Sequence, residues 1–167
     1  MDTLRVVVLV LATMTTGLSA GVFWLYAHTV MPGLRRVDDR TFVAAFGAID
    51  RAIINPWFMA GGFLGAPLLT VLAASLHLGD EWRPVLGCTV AALAAYLVLA
   101  VITIAVNVPR NDALKAAGAP DQIDVASVRR AFDEDRWVRW NRVRVLLNLG
   151  GFAALCWALV LHGRIAG

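Results

Sequence analysis

Four long apolar stretches divide the chain, over roughly residues 6–31, 56–78, 85–108 and 143–161. About 20 apolar residues in a helix, at 1.5 Å per residue, cross the hydrocarbon core of a bilayer. Each stretch therefore predicts a membrane-spanning helix. The first stretch is too long for the core of a cleavable signal peptide, which has about 7–15 residues. The pattern predicts an all-α protein, a single domain over residues 1–167 folded as an integral membrane four-helix bundle.

Two of the connecting segments are polar but have helical periodicity. The first, DDRTFVAAFGAIDRAII, carries four apolar side chains at helical spacing, Phe42, Phe46, Ile49 and Ile53. The second, DVASVRRAFDEDR, carries a thinner stripe of Val125, Val128 and Phe132. Asp38 or Asp39 is expected to cap the first helix. We therefore expect two short amphipathic helices at the membrane interface.

The basic residues predict how the chain lies in the membrane. Twelve of the fifteen Lys and Arg residues fall in the connections after the first and third apolar stretches or at the start of the fourth. Short cytoplasmic loops concentrate Lys and Arg, so we expect both long connections in the cytoplasm and both termini outside. This placement accounts for the net charge of +3 without a nucleic-acid partner. The expected environment is a lipid bilayer, and a homo-oligomer is left open.

Polar side chains gather at the predicted inner ends of the apolar stretches: His28, Asn55, Asn107, Asn111, Asn141, Arg144 and Asn148. On the predicted fourth helix Trp137, Asn141, Arg144 and Asn148 are spaced by four, three and four residues, which puts them on one helix face. A charge at this depth is costly unless it faces the protein interior and finds a partner. Asp50, Asn107 and the carbonyls near Pro109 are the expected partners of Arg144.

Other interpretations of these residues remain open. Trp and Arg at a membrane border are ordinary anchors, and Asn often joins helices in lipid. His28 is either a structural group or a general base with a suitable pKa. Metal binding needs further ligands, and His77 and His162 belong to the opposite end of the predicted bundle. Because nucleotide, flavin and c-type haem motifs do not occur in the sequence, no organic cofactor is expected, and metal or haem is left open.

Three stretches of the chain resemble one family. HTVMPGLRRVDDRTFVAAFGAIDRAIINPWF, AVNVPRNDAL and WVRWNRVRVLLNLGGFAAL are similar to the anthrone oxygenase-like family of small four-span membrane proteins. The similar elements are VMPGL at 30–34, NP at 55–56, NVPxN at 107–111 and WxxWNxxR at 137–144. The resemblance implies oxidation of an anthrone, or of another phenolic or quinone-type polycyclic substrate, with O₂ as co-substrate. It also implies a bacterial inner membrane protein.

The resemblance also implies roles for particular residues. His28 would remove a substrate proton, while Arg144 and Asn141 would stabilise the resulting oxyanion. The expected substrate-binding residues are Asn55, Trp57, Asn107, Asn111, Trp137, Trp140 and Asn148. Two alternatives stay open: a non-catalytic membrane assembly or lipid-binding protein that uses the same polar cluster, and a metal- or haem-dependent membrane redox protein.

Overall fold

The computed structural model describes residues 2–167, and within that range it contains helices and no β-strand. The helices are α1 (Asp2–Leu34), α2 (Asp39–Ile53), α3 (Pro56–Leu76), α4 (Asp80–Ala116), α5 (Val125–Phe132) and α6 (Glu134–Ala166). Four segments are long and apolar enough to cross a membrane: α1, α3, α4 and Val125–Ala166. The all-α prediction with four apolar helices is confirmed.

The two short helices begin where the sequence places a capping carboxylate. At α2, Asp38 accepts a hydrogen bond from the Thr41 backbone N–H at 3.0 Å and another from the Thr41 hydroxyl at 2.7 Å. These bonds hold the pKa of Asp38 below its usual range, because they favour the charged form. At α5, Asp124 accepts from the Ser127 N–H at 3.1 Å. Of the two caps expected for α2, the structure uses Asp38.

The chain forms two compact units. Unit I contains residues 2–21, Pro56–Leu99 and Leu146–Gly167, and unit II contains Val22–Asn55 and Ala100–Val145. Unit I has a core of aliphatic and small side chains contributed by α1, α3, α4 and α6, with Leu9, Ala73, Val85 and Leu155 fully buried. A Cβ on Gly17 of this unit would lie 2.8 Å from the ring of Phe152, so small residues allow close helix packing here.

Unit II has an aromatic core. Phe42 and Phe46 of α2 pack edge-on against Phe132 of α5, and Phe46 also meets Trp137 of α6. The apolar stripe predicted for α2 is only partly buried. Ile49 is 37% exposed, and the neighbouring Asp50 lies on the buried face in its place. The apolar faces of both short helices pack against protein.

Wider, π-helical turns interrupt three of the long helices, at Tyr26–Val30, Met59–Phe63 and Thr103–Asn107. Each turn is followed within four residues by a proline, at Pro32, Pro67 and Pro109. Proline lacks an N–H and its ring clashes with the carbonyl four residues earlier, and an extra residue in the turn relieves that clash. In α3 the carbonyl that Pro67 leaves without its helical donor is that of Phe63, which accepts from the Tyr96 hydroxyl at 2.7 Å.

The turn in α3 leads to a first prediction, at Gly65. A Cβ on Gly65 would collide with the backbone carbonyl of Ala60, whereas a Cβ on Gly61 meets nothing within 4 Å. We expect Gly65→Ala to lower the free energy of unfolding by about 1–3 kcal/mol through overpacking. The matched control Gly61→Ala should not lower it, because alanine is the better helix former. Thermal unfolding of both variants in the same detergent checks this, and equal melting temperatures would contradict the geometry of the turn.

Candidate functional site

Arg144 is the centre of the polar cluster in unit II. Its side chain belongs to α6 and the residue is only 4% exposed. Nη1 donates to the Thr103 hydroxyl at 3.2 Å, and Nη2 donates to Asn141 Oδ1 at 2.8 Å. One side of the Asn107 side-chain amide faces only hydrogen-bond donors, so the amide oxygen is assigned to that side. There it accepts a hydrogen bond from Arg144 Nη2 at 3.3 Å. Neutral oxygen atoms from α4 and α6 therefore hold the guanidinium.

Aromatic rings cover the same guanidinium. Its carbon lies 4.7 Å from the centre of the Phe23 ring and 5.4 Å from the centre of the Trp137 ring. Both distances allow cation–π attraction. Asn141 links the cluster to α1, because its Nδ2 donates to the Phe23 carbonyl at 3.2 Å. Tyr26 also lies beside the cluster, with its ring 5.8 Å from that of Trp137.

The positive charge of Arg144 has no carboxylate partner in residues 2–167: every ion pair formed there involves other cations. Asp50, expected as a partner, instead binds Lys115 Nζ at 2.7 Å and Asn111 Nδ2 at 2.7 Å. The Val106 carbonyl near Pro109 accepts from Arg110 at 2.8 Å. A buried charge without a counter-ion costs several kcal/mol, and ionisable groups inside membrane segments usually have a function.

A π-helical turn brings the α4 ligands of Arg144 together. Thr103 and Asn107 are the first and last residues of this turn, and both side chains bond the guanidinium. Such turns occur frequently at functional sites. The turn in α1 likewise begins at Tyr26, beside the cluster. The prolines that follow the turns are therefore the sequence signal for where the helices widen.

A chain of hydrogen bonds fixes the ring of Trp137 beside Arg144. The indole Nε1 donates to Asn111 Oδ1 at 2.8 Å, and Asn111 in turn donates to Asp50 at 2.7 Å. Asp50 is anchored by Lys115. Because Trp137 is 3% exposed, its ring has little freedom to turn away from the guanidinium. The sequence therefore identified Trp137, Asn111 and Asn107 together with Arg144, and the structure brings all four into unit II.

Three other expected substrate-binding residues have different surroundings. Asn55 donates to the Ala52 carbonyl at 2.8 Å, at the end of α2. Trp57 is 90% exposed, and Trp140 is half-buried. Exposed and half-buried tryptophans are typical of the membrane border.

His28 and Asn148 form hydrogen bonds to residues that are not ligands of the guanidinium. His28 is exposed, its ring meets Trp24 edge-on at 5.8 Å, and its Nδ1 bonds the Thr29 hydroxyl. Asn148 belongs to unit I, where its Nδ2 donates to the Ser19 hydroxyl at 3.0 Å and its buried Oδ1 has no hydrogen-bond partner. Conversely, sequence reasoning missed Phe23, Tyr26 and Thr103.

The histidines of unit I bind each other. His77 Nδ1 donates to the Ala73 carbonyl at 2.7 Å, which leaves Nε2 as the acceptor of a 3.0 Å bond from His162 Nδ1. His77 Nε2 and His162 Nδ1 are therefore engaged with each other. Across residues 2–167 no group of three or more His, Cys, Asp or Glu side chains could hold a metal ion.

The fold and the site together define the class: a small helical membrane protein with four apolar helices and a buried arginine that pairs with no carboxylate of residues 2–167. The family model for anthrone oxygenase matches residues 56–154, which is more than half of the chain, and the chain therefore belongs to that family. The matched range contains Thr103, Asn107, Asn111, Trp137 and Arg144. Among curated proteins and solved structures, no match to the chain is found.

Proposed function

We propose that this protein is a membrane oxygenase that converts an anthrone-like phenolic substrate into a quinone with O₂, and that Arg144 holds the oxyanion of the deprotonated substrate. The observation that carries this proposal is the buried guanidinium surrounded by neutral acceptors and aromatic rings, with no carboxylate paired to it. Membership of the anthrone oxygenase family supports the same activity.

Arg144 has bonding capacity left for a substrate oxygen. A guanidinium carries five N–H donors, and three of them donate to Thr103, Asn141 and Asn107. Loss of a proton from the CH₂ group of an anthrone gives an anion whose charge is shared between that carbon and the oxygen across the ring. A cation already fixed in a low-dielectric site stabilises such an oxygen strongly, because nothing has to reorganise when the charge forms.

The reaction balances with O₂ alone. The substrate carbanion transfers electrons to O₂ and forms a carbon–oxygen bond, which gives a hydroperoxide once the oxygen takes up the proton lost in the first step. The carbon then loses its remaining hydrogen and the O–O bond breaks, which yields the quinone carbonyl and one water. One O₂ is consumed per quinone, and no external reductant enters.

Oxygen uptake by the purified protein tests the proposed function. Protein in detergent is mixed with an anthrone in air-saturated buffer, and O₂ consumption is recorded beside quinone absorbance. We expect acceleration over protein-free micelles, one O₂ per quinone, and ¹⁸O from ¹⁸O₂ in the new carbonyl. A rate equal to that of protein-free micelles would refute the proposal.

The proposed activity leads to a prediction for His28. Loss of a general base typically costs about 10²–10⁴-fold in rate. Because the His28 ring is exposed and contacts Trp24 and Thr29, we expect His28→Gln to lower kcat less than about tenfold. The pH–rate profile should keep its shape. A loss above a hundredfold would instead make His28 the base, as the family resemblance implies.

We also propose an orientation for the chain. Unit II holds twelve of the fifteen basic residues, and cytoplasmic segments are rich in Lys and Arg. Its two long connections would then face the cytoplasm, with both termini outside. In a variant whose Cys88 and Cys156 are replaced by serine, a single cysteine at the exposed position 36 should react with an impermeant maleimide only after the cells are opened. Labelling of intact cells would show the opposite orientation.

A further inference from the structure

The net charge of the protein lies entirely in unit II. Residues 22–55 and 100–145 contain twelve basic and nine acidic side chains, whereas the rest of the chain contains three of each. Seven of the nine acidic side chains form ion pairs with Arg or Lys. The other two, Asp38 and Asp124, accept hydrogen bonds at helix N-termini. Every carboxylate of unit II is therefore already engaged.

Three arginines on one face of α6 form no ion pair with the described residues: Arg136, Arg139 and Arg142, here called the arginine stripe. All three are exposed and recur every third residue. The stripe extends over about 9 Å of helix, at 1.5 Å per residue. The opposite face of the same helix carries the buried Trp137, Asn141 and Arg144. One helix thus separates a buried cation from an exposed cationic surface.

We propose that the arginine stripe binds the headgroups of anionic phospholipids. A guanidinium can donate two parallel hydrogen bonds to a phosphate group, and no carboxylate of unit II is free to compete for it. The stripe ends where the apolar stretch from about residue 143 begins, within the membrane-capable segment Val125–Ala166. The half-buried Trp140 stands between Arg139 and Arg142, and tryptophan is enriched at the level of lipid headgroups.

Spin-labelled lipids test this proposal on the whole protein reconstituted in phosphatidylcholine. The measured quantity is the motionally restricted fraction of labelled phosphatidylglycerol compared with that of labelled phosphatidylcholine. The stripe variant carries Arg136→Gln, Arg139→Gln and Arg142→Gln. The matched control carries Arg36→Gln, Arg51→Gln and Arg130→Gln, three other exposed arginines of unit II, so both variants lose the same charge.

We expect the wild type and the matched control to bind phosphatidylglycerol about fivefold or more in preference to phosphatidylcholine. This is the factor that one arginine near an anionic lipid surface contributes. The stripe variant should lose that preference while keeping its helical circular dichroism. Equal losses in both variants would overturn the proposal, because the preference would then reflect total charge. Displacement of the lipid by millimolar inorganic phosphate would overturn the lipid assignment in favour of a phosphate site.

Discussion

We expect replacement of Arg144 with glutamine to lower kcat/KM for the proposed anthrone oxidation by about 10²–10³-fold, the usual cost of losing one preorganised oxyanion donor. Glutamine keeps hydrogen-bonding capacity toward Thr103 and Asn107 but removes the charge that stabilises the substrate anion. The loss should appear mainly in kcat, because the anion develops during the reaction. Steady-state oxygen uptake over a range of anthrone concentrations gives both constants.

Two further variants make this result interpretable. Arg142→Gln removes an exposed arginine two residues away on the same helix, and we expect it to keep wild-type turnover. Arg144→Lys keeps the charge but not the planar fork of donors. Its activity should therefore fall between that of the wild type and that of Arg144→Gln, and it provides a test of the charge if the glutamine variant does not fold. Wild-type turnover by a folded Arg144→Gln would contradict the assigned role.

We expect replacement of Asn107 with aspartate to lower the proposed activity strongly without destabilising the protein. The Asn107 amide oxygen lies 3.3 Å from Arg144 Nη2, so a carboxylate there would pair with the buried cation. Pairing offsets part of the desolvation cost of that cation, and the melting temperature should stay the same or rise. The same pairing neutralises the potential that attracts the substrate oxyanion, so we expect about a 10²-fold loss or more in kcat/KM.

The opposite behaviour is expected of Asn107→Leu. Leucine has a similar volume but leaves one guanidinium N–H unbonded, so this variant should melt at a lower temperature. Its cation stays uncompensated, and it should retain more activity than Asn107→Asp. If the cluster had a purely structural role, activity would follow stability, and Asn107→Asp would be more active than Asn107→Leu. That result would contradict the proposed role of Arg144.

Regular helical spacing was enough to predict part of the polar cluster around Arg144. Trp137, Asn141 and Arg144 share a face of α6 because that stretch is an uninterrupted α-helix, and a buried arginine needs acceptors that only neighbouring helices supply. Asn107 was identified because it ends an apolar stretch just before Pro109. Both inferences depend on helical periodicity and on the free-energy cost of an unpaired buried charge, and both can be made from the sequence alone.

Helical periodicity did not reveal every residue beside Arg144. His28, Thr103 and Tyr26 all lie in π-helical turns, whose wider spacing changes the faces to which side chains belong. The sequence analysis did not predict Thr103 or Tyr26, and a catalytic role for His28 stays a prediction. Asp50 was assigned to Arg144 by charge alone, but Lys115 lies within 2.7 Å of it and takes that role. The prolines at 32, 67 and 109 are the signal that could have revealed the turns in advance.

Titration of a bound phenol tests the central claim most directly. The claim is that Arg144 is an uncompensated cation available to a substrate oxygen. 2-Naphthol resembles the phenolic form of the substrate, and its ionisation is followed by ultraviolet absorption without any turnover. We expect the pKa of 2-naphthol bound to the wild type to be lower than that of 2-naphthol in the same micelles by about one unit or more. In Arg144→Gln and Asn107→Asp this shift should disappear. An unshifted pKa in the wild type, or an equal shift in all three proteins, would contradict the claim.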